Sequence, residues 1–580
     1  MTTEAPLHRR FSAVDSALAD LDRGTEVWGR TSLPARRLLL ARVHALTATY
    51  AQDWVRACAG IKGLATDSPL VGEEWMSGPY ATLNGLAALI DSLRALQAGR
   101  SPVEGHRFGT APGGRVTVRV LPHDPVDRVV LGGYTADVWM PPGVTEQDVR
   151  DRAGRAQRET GRTGGVGAVL GAGNISSIPV LDALHELFTA NRVVLVKLNP
   201  VTDPLLGVFQ AIFRPLTELG VMRIVTGDAE VGDYLVKHPL VGHVHITGSR
   251  HTHDAIVFGP GPEGAARRQA GTPLLEKPIT SELGGVSPAI VLPGRWSRAD
   301  LRYQAENLAG QKLHNNGYNC VAAQVVVISS DWAQKNQFLA ELRRALAAAP
   351  ERVAYYPGSD RRMEAFRTAG PETGTQVETL AGGRVLLGPM DASGDPADLE
   401  DLFTTEVFGP GLTVVTLPGL GRDFLTAAVT LANDSLSGTL GACLIVHPAS
   451  RRELGADFDT EVARLRYGCI GINVWIGVAF QLPNVPWGAF PGNELADVGS
   501  GIGTVHNALL LEQPERTVIR GPFRPAPRSL LSGELALTPP RPPWFVGNRT
   551  AHTTGAALTA FAARPGWDRL PRILFSALRG

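Results

Sequence analysis

Residues 165–259 have the sequence GVGAVLGAGNISSIPVLDALHELFTANRVVLVKLNPVTDPLLGVFQAIFRPLTELGVMRIVTGDAEVGDYLVKHPLVGHVHITGSRHTHDAIVFG, in which short apolar runs alternate with longer amphipathic segments. The apolar runs have the length of β-strands, and the segments between them carry apolar residues at helical spacing. Strands and helices that alternate at short intervals predict a parallel sheet with helices on both of its faces. This stretch therefore predicts a doubly wound α/β fold.

Polar residues stand where three of the predicted strands end. Asn174, Lys197 and Ser249 fall at or just after the carboxyl ends of their strands, which is where ligands of such sheets bind. No G-x-G-x-x-G sequence follows any of these strands, so the common dinucleotide-binding fingerprint is absent. A cofactor would have to be held in a different way.

The chain before and just after this stretch divides into further parts. Apolar residues at helical spacing predict helices over residues 13–99. Two β-type runs, VTVRVL (116–121) and RVVLGG (128–133), predict a strand pair. The segment GPGPEGAARRQAGTPLLEKP (259–278) is rich in Gly, Pro and Ala and predicts a surface loop or an insertion.

The rest of the chain predicts a second domain and a tail. An alternating region that ends near Trp475 predicts a second α/β domain. Residues 477–503 predict a loop, and the tail from Leu510 holds a Pro-rich stretch and a short helix at 556–565. We divide the chain into a helical part of the first domain at 1–114, the strand pair at 115–145, the first α/β domain at 146–281, the second at 282–480, and a loop, a strand and an unassigned tail at 481–580.

Length, composition and charge narrow the class of protein. A chain of 580 residues exceeds what one core usually holds, so we expect two or more domains. Lys+Arg and Asp+Glu are both 56, and this balance gives no support for a nucleic-acid partner. Neither a signal peptide nor an apolar run long enough to span a bilayer is found, so we expect a cytoplasmic protein without a membrane span.

The four cysteines are scattered along the chain, at Cys58, Cys320, Cys443 and Cys469, and indicate neither a disulfide framework nor a metal site. Cys320 differs from the others because it lies in HNNGYNCVAA (314–323), among amide and small side chains. The segment before it is typical of a loop and the segment after it of a strand. Cys320 is therefore a candidate nucleophile at a loop-to-strand junction, although by itself a buried structural thiol is as good an interpretation.

Several motifs then occur in one order along the chain. They are NISSIP (174–179), VVLVKLNP (193–200), VTG (225–227), ITGS (246–249), ELGGVSPAIV (282–291), NNGYNC (315–320), EVFGP (406–410) and PWGAFPG (486–492). Each motif alone is weak, but with all of them the chain resembles the aldehyde dehydrogenase superfamily over residues 165–503. The resemblance implies a Rossmann-like cofactor domain, a second α/β catalytic domain and a small β oligomerisation element.

The resemblance implies a reaction and three catalytic residues. In NAD(P)-dependent oxidation of an aldehyde to a carboxylic acid, Cys320 would form a thiohemiacetal and then a thioester, because an aldehyde carbon releases hydride only after it carries an electron-rich oxygen. Asn174 and the backbone N–H of Cys320 would hold the oxyanion. Glu282 would activate the water that cleaves the thioester.

The resemblance also implies the residues that hold the cofactor. Lys197 would bind the adenosine ribose, Ser249 the pyrophosphate at a helix N-terminus, and Glu406 the nicotinamide ribose. Phe408 would pack near the nicotinamide. Two glycines, Gly227 and Gly248, would allow close approach of the backbone.

Departures from the family pattern leave the cofactor and the substrate open. Many NAD-preferring members have a glutamate three residues after the lysine, whereas this chain has Pro200, so either NAD or NADP is expected. The segment between Ser249 and Glu282 resembles an insertion. Three aromatic residues, Trp475, Phe480 and Trp487, either line the substrate pocket or belong to the core.

Two alternatives remain from the sequence. A coenzyme A-dependent acylating aldehyde dehydrogenase or acyl-CoA reductase would pass the Cys320 acyl group to a thiol instead of water; the NISSIP region favours this alternative and Glu282 disfavours it. A silent scaffold with the same fold would be expected to lose Cys320, Asn174 or Glu282, and all three are present. The expected partners are a small-molecule aldehyde and other copies of the chain in a homodimer or homotetramer, assembled through the strand pair and residues 508–520.

Overall fold

The structure, a computed structural model, describes residues 4–159, 161, 163–372, 376–534 and 536–580. The strands are β1 (Arg107–Ala111), β2 (Arg115–Leu121), β3 (Thr135–Trp139), β4 (Val166–Leu170), β5 (Val193–Lys197), β6 (Met222–Val225), β7 (Val241–Gly248), β8 (Ile279–Leu283), β9 (Ser287–Val291), β10 (Ala323–Ser329), β11 (Val377–Leu380), β12 (Arg384–Asp391), β13 (Gly411–Leu417), β14 (Gly441–Ile445), β15 (Cys469–Ile472), β16 (Trp487–Gly488), β17 (Gly501–Ile502), β18 (Thr504–Val505) and β19 (Arg516–Arg520). The α-helices are α1 (Glu4–Arg30), α2 (Leu33–Ile61), α3 (Val71–Trp75), α4 (Ala81–Gln97), α5 (Pro125–Val130), α6 (Glu146–Arg152), α7 (Arg155–Arg158), α8 (Ile178–Phe188), α9 (Leu206–Ile212), α10 (Arg214–Glu218), α11 (Ala229–Lys237), α12 (Arg250–Phe258), α13 (Gly261–Ala270), α14 (Arg298–Leu313), α15 (Lys335–Ala348), α16 (Ser359–Glu372), α17 (Glu400–Thr404), α18 (Gly421–Asp434), α19 (Pro448–Leu454), α20 (Ala456–Arg464), α21 (Gly477–Phe480), α22 (Arg528–Leu531), α23 (Ala551–Ala563) and α24 (Leu570–Leu578).

The first sheet is six-stranded in the described part of the chain, with the order β17-β8-β7-β4-β5-β6. The strands from β8 to β6 run parallel to their neighbours. Both β4 and β5 are apolar and almost wholly buried, because helices cover both faces of the sheet. The carboxyl ends of β4, β5 and β7 therefore meet at one edge.

The second sheet has eleven strands among the described residues, in the order β1-β2-β3-β19-β15-β14-β9-β10-β13-β12-β11. Its central strands, from β19 to β12, are parallel. At one end β3 pairs antiparallel with β19, and β1 and β2 form a hairpin. Two α/β domains with mostly parallel sheets confirm the predicted fold class.

The strand pair predicted between residues 115 and 140 has a different second strand. The run VTVRVL lies in β2 as predicted, but the RVV of RVVLGG lies in α5, and β2 pairs with β3 instead. Asp124 caps α5 in a capping box with Asp127, and Pro125 occupies its first turn. These start signals outweigh the β propensity of Val129 and Val130.

The segment predicted as a surface loop at 259–278 contains the helix α13. Pro262 lies in the first turn of α13, Arg267 and Arg268 lie in its last turn, and Gly271 ends it with a left-handed φ of 64°. This is the usual placement of Pro at the start, basic residues near the end and Gly beyond the end of a helix. The prediction of a loop was wrong because it weighed composition and not position.

The tail packs on the amino-terminal helices. The predicted helix at 556–565 is confirmed by α23, and α24 follows it without having been predicted. A Cβ atom on Gly72 of α3 would collide with the backbone of Ala551, so α3 and α23 are in close contact. The guanidinium Nε of Arg541 lies 3.0 Å from Glu306 Oε2 on α14, which ties the tail to the second domain as well.

No helix in the described residues is long and apolar enough to cross a membrane.

Candidate active site

A turn in front of β10 presents Cys320. After α14 ends, three consecutive residues have left-handed backbone conformations, with φ of 53° at Asn315, 55° at Asn316 and 79° at Gly317. Asparagine and glycine are the residues that adopt this conformation most readily. A Cβ atom on Gly317 would collide with the carbonyl of Gly409, so the turn packs directly on the EVFGP motif. The predicted loop-to-strand junction at Cys320 is confirmed.

Asn174 joins the turn to the first domain. Its Nδ2 donates a hydrogen bond to the carbonyl of Tyr318 at 2.9 Å. The Nδ2 of Asn315 donates to the same carbonyl at 3.0 Å and to the carbonyl of Asn174 at 3.2 Å. These bonds fix the buried Asn174 amide beside the cysteine turn, and among the described residues they use only one of its two N–H groups.

One cavity of about 1080 Å³ collects all but one of the site residues that the sequence predicted. Its lining includes Asn174, Lys197, Gly248, Ser249, Glu282, Cys320, Glu406 and Phe408. Gly227 instead lines a separate cavity of about 530 Å³, together with Asp203 and Asp228. The φ angle of Gly227 is 154°, and a Cβ atom on this residue would lie 2.7 Å from the side chain of Val231. Packing against Val231 therefore explains the glycine without a bound ligand.

Glu282 contacts the sulfur of Cys320. Burial and the carboxylates of Glu282 and Glu406 hold the pKa of the Cys320 thiol well above its ordinary value, and the thiol hydrogen-bonds to Glu282. Burial also raises the pKa of the Glu282 carboxyl, while hydrogen bonds from Cys320 and Trp487 lower it. The indole Nε1 of Trp487 donates to Glu282 Oε1 at 3.2 Å, so the carboxylate is held in place from its other side. A neutral thiol therefore lies next to its own proton acceptor.

Glu406 lies opposite a buried lysine that sequence reasoning missed. Burial raises the pKa of Glu406, and Lys312, on the last turn of α14, opposes this effect. Burial lowers the pKa of Lys312, which is 1% exposed. A Cβ atom on Gly284 would collide with the Glu406 carboxylate, which explains the first glycine of ELGG. A basic residue in the last turn is common in helices, so nothing local marked Lys312.

Lys197 and Ser249 are at the strand ends that the sequence predicted. Lys197 is the last residue of β5; burial lowers its pKa, and Asp203 and Asp228 raise it. The Asp203 Oδ1 atom is buried and has no hydrogen-bond partner in the described residues. Ser249 is the N-cap of α12, whose Thr252 N–H donates to Ser249 Oγ at 3.2 Å. The N-terminus of α12 therefore faces the cavity.

Phe408 is strained and lies next to a second basic residue. Its φ of 40° is left-handed, an uncommon conformation for an aromatic residue that is often found at functional sites. Arg362 donates to the carbonyls of Val407 at 3.2 Å and Phe408 at 3.4 Å, and it lines the large cavity. Arg362 was also missed, since it belongs to helix α16, in which charged residues of both signs are common, and to no motif.

A layer of buried polar side chains lies behind Glu282, between α8 and the first sheet. Thr247 Oγ1 donates to Asp182 Oδ2 at 2.8 Å, and His245 Nδ1 is 2.9 Å from Thr280 Oγ1. Burial lowers the pKa of His245, but the carboxylates of Asp182, Glu186 and Glu282 together outweigh this effect and the net shift is upward. The alternating histidines of VGHVHITGS were the sequence signal for this layer, because residues two apart share one face of a strand.

A second cavity, of about 300 Å³, opens on the other side of the sulfur. Asn174, Ile178 and Cys320 line both cavities, so the two meet at the thiol. Trp475, Phe480 and Trp487 line the smaller cavity and also pack in a hydrophobic core cluster, so both features that the sequence offered as alternatives apply to them. The site is thus a half-buried cysteine between a large cavity whose lining includes several charged side chains and a smaller, more apolar one, in a protein of two α/β domains.

Comparisons with known proteins agree with this class. A model of the aldehyde dehydrogenase family matches residues 152–355. The 1-pyrroline-5-carboxylate dehydrogenase of Bacillus subtilis is 26% identical over 342 residues, which cover 56% of this chain and 62% of that protein. The chain spans 59 to 64% of the length of the first curated relatives it matches.

Solved structures share the fold. A crystal structure of an indole-3-acetaldehyde dehydrogenase complexed with NAD+ has a TM-score of 0.56 and 17% identity and covers 88% of each chain. An NADP-dependent enzyme of E. coli has a TM-score of 0.59 and 17% identity and covers 88% of this chain and 89% of its own. The family-model match over residues 152–355 and the curated relatives bear out the resemblance to the aldehyde dehydrogenase superfamily, and the solved structures share its fold.

Proposed function

We propose that the protein oxidises an aldehyde to a carboxylic acid with a nicotinamide dinucleotide, through a thioester on Cys320. The overall change takes the aldehyde, the oxidised dinucleotide and water to the acid, the reduced dinucleotide and a proton. One observation carries the proposal: Cys320 lies where two cavities meet, with the Asn174 amide and the Glu282 carboxylate beside it.

The large cavity fits a dinucleotide. It lies at the carboxyl ends of β4, β5 and β7, and its volume of about 1080 Å³ is ample for a ligand of this size. Lys197 would hold the adenosine ribose, Ser249 and the N-terminus of α12 the pyrophosphate, and Glu406 the second ribose. When bound, the dinucleotide supplies the hydride acceptor.

The residues around Cys320 can carry the other steps. Glu282 takes the thiol proton, and the sulfur attacks the aldehyde carbon to give a thiohemiacetal. The free N–H of Asn174 and the backbone N–H of Cys320 stabilise the oxyanion, each donor typically contributing about 3–4 kcal/mol. After the adduct has lost hydride, Glu282 releases the thiol proton to solvent and takes a proton from water, whose oxygen attacks the thioester. The tetrahedral adduct then breaks its C–S bond and releases the acid, and the proton on Glu282 returns to the sulfur.

Asp203 favours NAD over NADP. Its carboxylate acts on Lys197 from the neighbouring cavity, and its buried Oδ1 accepts no hydrogen bond from the described residues. Such a carboxylate can accept a hydrogen bond from a ribose 2′-hydroxyl and repels a 2′-phosphate. Pro200 stands where many NAD-preferring members have a glutamate, but Asp203, three residues further along the chain, supplies a negative charge near Lys197.

The coenzyme A-dependent reaction is the alternative outcome. Glu282 disfavours it because a carboxylate in contact with Cys320 is placed to activate water.

The direct test is to identify the product. The protein is incubated with hexanal and NAD, with NADP, and with NAD plus coenzyme A. We expect hexanoate as the product in both incubations that contain NAD, with or without coenzyme A. A stoichiometric yield of hexanoyl-coenzyme A would show that the acyl group passes to coenzyme A and not to water. Loss of all oxidation in Cys320→Ala, with dinucleotide binding retained by fluorescence titration, completes the test, and turnover by this variant would remove Cys320 from its role.

A further inference from the structure

We propose that the tail, residues 526–534 and 536–578, forms the outer wall of a substrate channel that selects aldehydes with an extended apolar chain and disfavours those that also carry a carboxylate. This inference rests on the proposed function and adds to it the class of substrate.

The channel is the 300 Å³ cavity, and its two ends can be identified. The inner end is at Cys320, Asn174 and Trp475. At the outer end the lining residues Leu537 and Leu578 are 55% and 56% exposed, so this end opens to solvent. The cavity thus leads from the surface to the sulfur on the side away from the dinucleotide cavity.

The tail supplies the outer part of this lining. Leu537 and Trp544 come from the segment before α23, Leu558 from α23, and Leu574 and Leu578 from α24. Opposite them lie residues of the amino-terminal part, such as Met76 and Tyr80. The segment for which the sequence suggested no role is therefore the part that shapes the entrance.

The wall is held firmly in place. Gly555 of α23 lies so close to α3 that a Cβ atom there would be 2.8 Å from the Trp75 side chain. The hydroxyl of Thr550 donates to the carbonyl of Ser576 at 2.7 Å, and the hydroxyls of Thr554 and Ser576 are 2.8 Å apart. These bonds join α23 to α24, so a bulkier side chain on the inner face of α24 narrows the channel instead of displacing the helix.

The chemistry of the lining is that of an apolar ligand. Among the described residues that line the channel, Glu73 is the single carboxylate and there is no lysine or arginine. Glu73 is already ion-paired with Arg352 and accepts the N–H of Asn315 at 2.9 Å. Burial lowers the pKa of His314 to about 4, so this ring is uncharged at neutral pH. A substrate carboxylate would find no cationic partner here, and an unpaired buried charge is strongly unfavourable.

The apolar lining of the channel predicts a substrate preference that differs from that of one of the relatives the chain matches. The B. subtilis protein is a 1-pyrroline-5-carboxylate dehydrogenase, whose name denotes a carboxylate-bearing substrate. The channel of the present protein instead favours a substrate without a carboxylate. Burial of each methylene contributes a factor of about four to kcat/KM.

The first experiment uses the unaltered protein and a series of n-alkanals from ethanal to dodecanal, with NAD. We expect kcat/KM to rise with chain length by at least tenfold over the series. Butanal is compared with succinic semialdehyde, which has the same chain length and a terminal carboxylate, and we expect the semialdehyde to be at least tenfold poorer. A flat series, or a semialdehyde as good as butanal, overturns the inference while leaving aldehyde oxidation itself intact. No oxidation of any aldehyde would instead refute the proposed function.

The second experiment tests the tail. Leu574→Trp narrows the channel, so the ratio of kcat/KM for decanal to that for propanal should fall by at least fivefold. Phe575→Trp is the matched control, since Phe575 is the next residue of α24, is 64% exposed and does not line the channel. Should both variants keep the unaltered ratio, or both lose it equally, the tail does not select the substrate.

Discussion

The Cys320 thiol and the Glu282 carboxylate depend on each other. Burial and two carboxylates raise the pKa of the thiol, and Glu282 is the one that also accepts its hydrogen bond. The nucleophile is therefore protonated at rest, and the residue that must remove its proton is also the residue that must later remove one from water.

This dependence predicts the direction of a pKa change. In Glu282→Gln a negative charge next to the sulfur is lost, so the thiolate is less disfavoured and the pKa of Cys320 falls. The rate of alkylation by iodoacetamide as a function of pH measures that pKa, with Cys320→Ala as the blank. Glu494→Gln removes an exposed carboxylate and should leave it unchanged. A pKa that stays the same or rises in Glu282→Gln would contradict the contact.

The choice of dinucleotide is decided by a single charge. In Asp203→Asn the repulsion of a 2′-phosphate is removed and the hydrogen bond to a 2′-hydroxyl is weakened. The ratio of Kd for NADP to Kd for NAD should therefore fall roughly tenfold, as expected for two charges about 3 Å apart that are screened as in bulk water. Fluorescence titration with the reduced dinucleotides measures both values. Asp423→Asn, on the exposed face of α18, is the charge-matched control. A ratio that Asp203→Asn leaves unaltered would show that Asp203 does not contact the ribose.

At the scale of elements, the cysteine turn is the piece on which the site depends. It combines three left-handed residues with a close approach of Gly317 to Gly409, and it thereby joins the NNGYNC and EVFGP motifs. The NNGYNC and EVFGP motifs therefore hold each other in position.

A methyl group at this contact should be costly. Gly317→Ala adds a collision with the Gly409 carbonyl to the cost of a left-handed alanine, together about 2–4 kcal/mol of unfolding free energy, and oxidation should be lost. Urea denaturation measures the free energy. Gly60→Ala, in α2 with no atom within 4 Å of the added Cβ, should be neutral or slightly stabilising. Equal stability of the two variants would show that the turn tolerates a side chain.

The elements also show how far the sequence leads. The alternating strands and helices of residues 165–259 were predictable because each apolar run is long enough to be a buried strand and each linker has helical spacing. The helices α5 and α13 were missed because their capping signals act at single positions, whereas the sequence interpretation weighed the β propensity or the glycine and proline content of the segment. The catalytic candidates were found through motifs, but Lys312 and Arg362 belong to ordinary helices and reach the site only through the fold.

At the scale of the whole molecule, the strand pair and the tail strand are part of the chain's own sheet. The strand β19, from the segment expected to mediate assembly, lies between β3 and β15, so both of its edges are already paired. β1 remains the open edge at this end of the sheet. A homodimer or homotetramer stays a prediction, and an assembly that extends the sheet at this end would have to use β1, whereas β11 is the edge at the other end.

The two cavities are features of the whole molecule, because each is lined by residues from distant parts of the chain. The sequence predicted the strand ends near Lys197 as cofactor-binding positions and the loop at Cys320 as the position of the nucleophile, because short motifs mark both. It did not indicate that residues 526–534 and 536–578 return to cover the side of the smaller cavity, because long-range packing leaves no local pattern.

The central claim is that Cys320 carries the acyl group and Glu282 releases it. Intact-protein mass spectrometry after mixing with hexanal and NAD tests it most directly. Glu282→Gln should accumulate one hexanoyl group on Cys320, because its thiol ionises more readily while hydrolysis is slowed; the unaltered protein should show little of this adduct and Cys320→Ala none. A hexanoyl adduct in Cys320→Ala, or no adduct in Glu282→Gln while that variant still oxidises hexanal, would contradict the account.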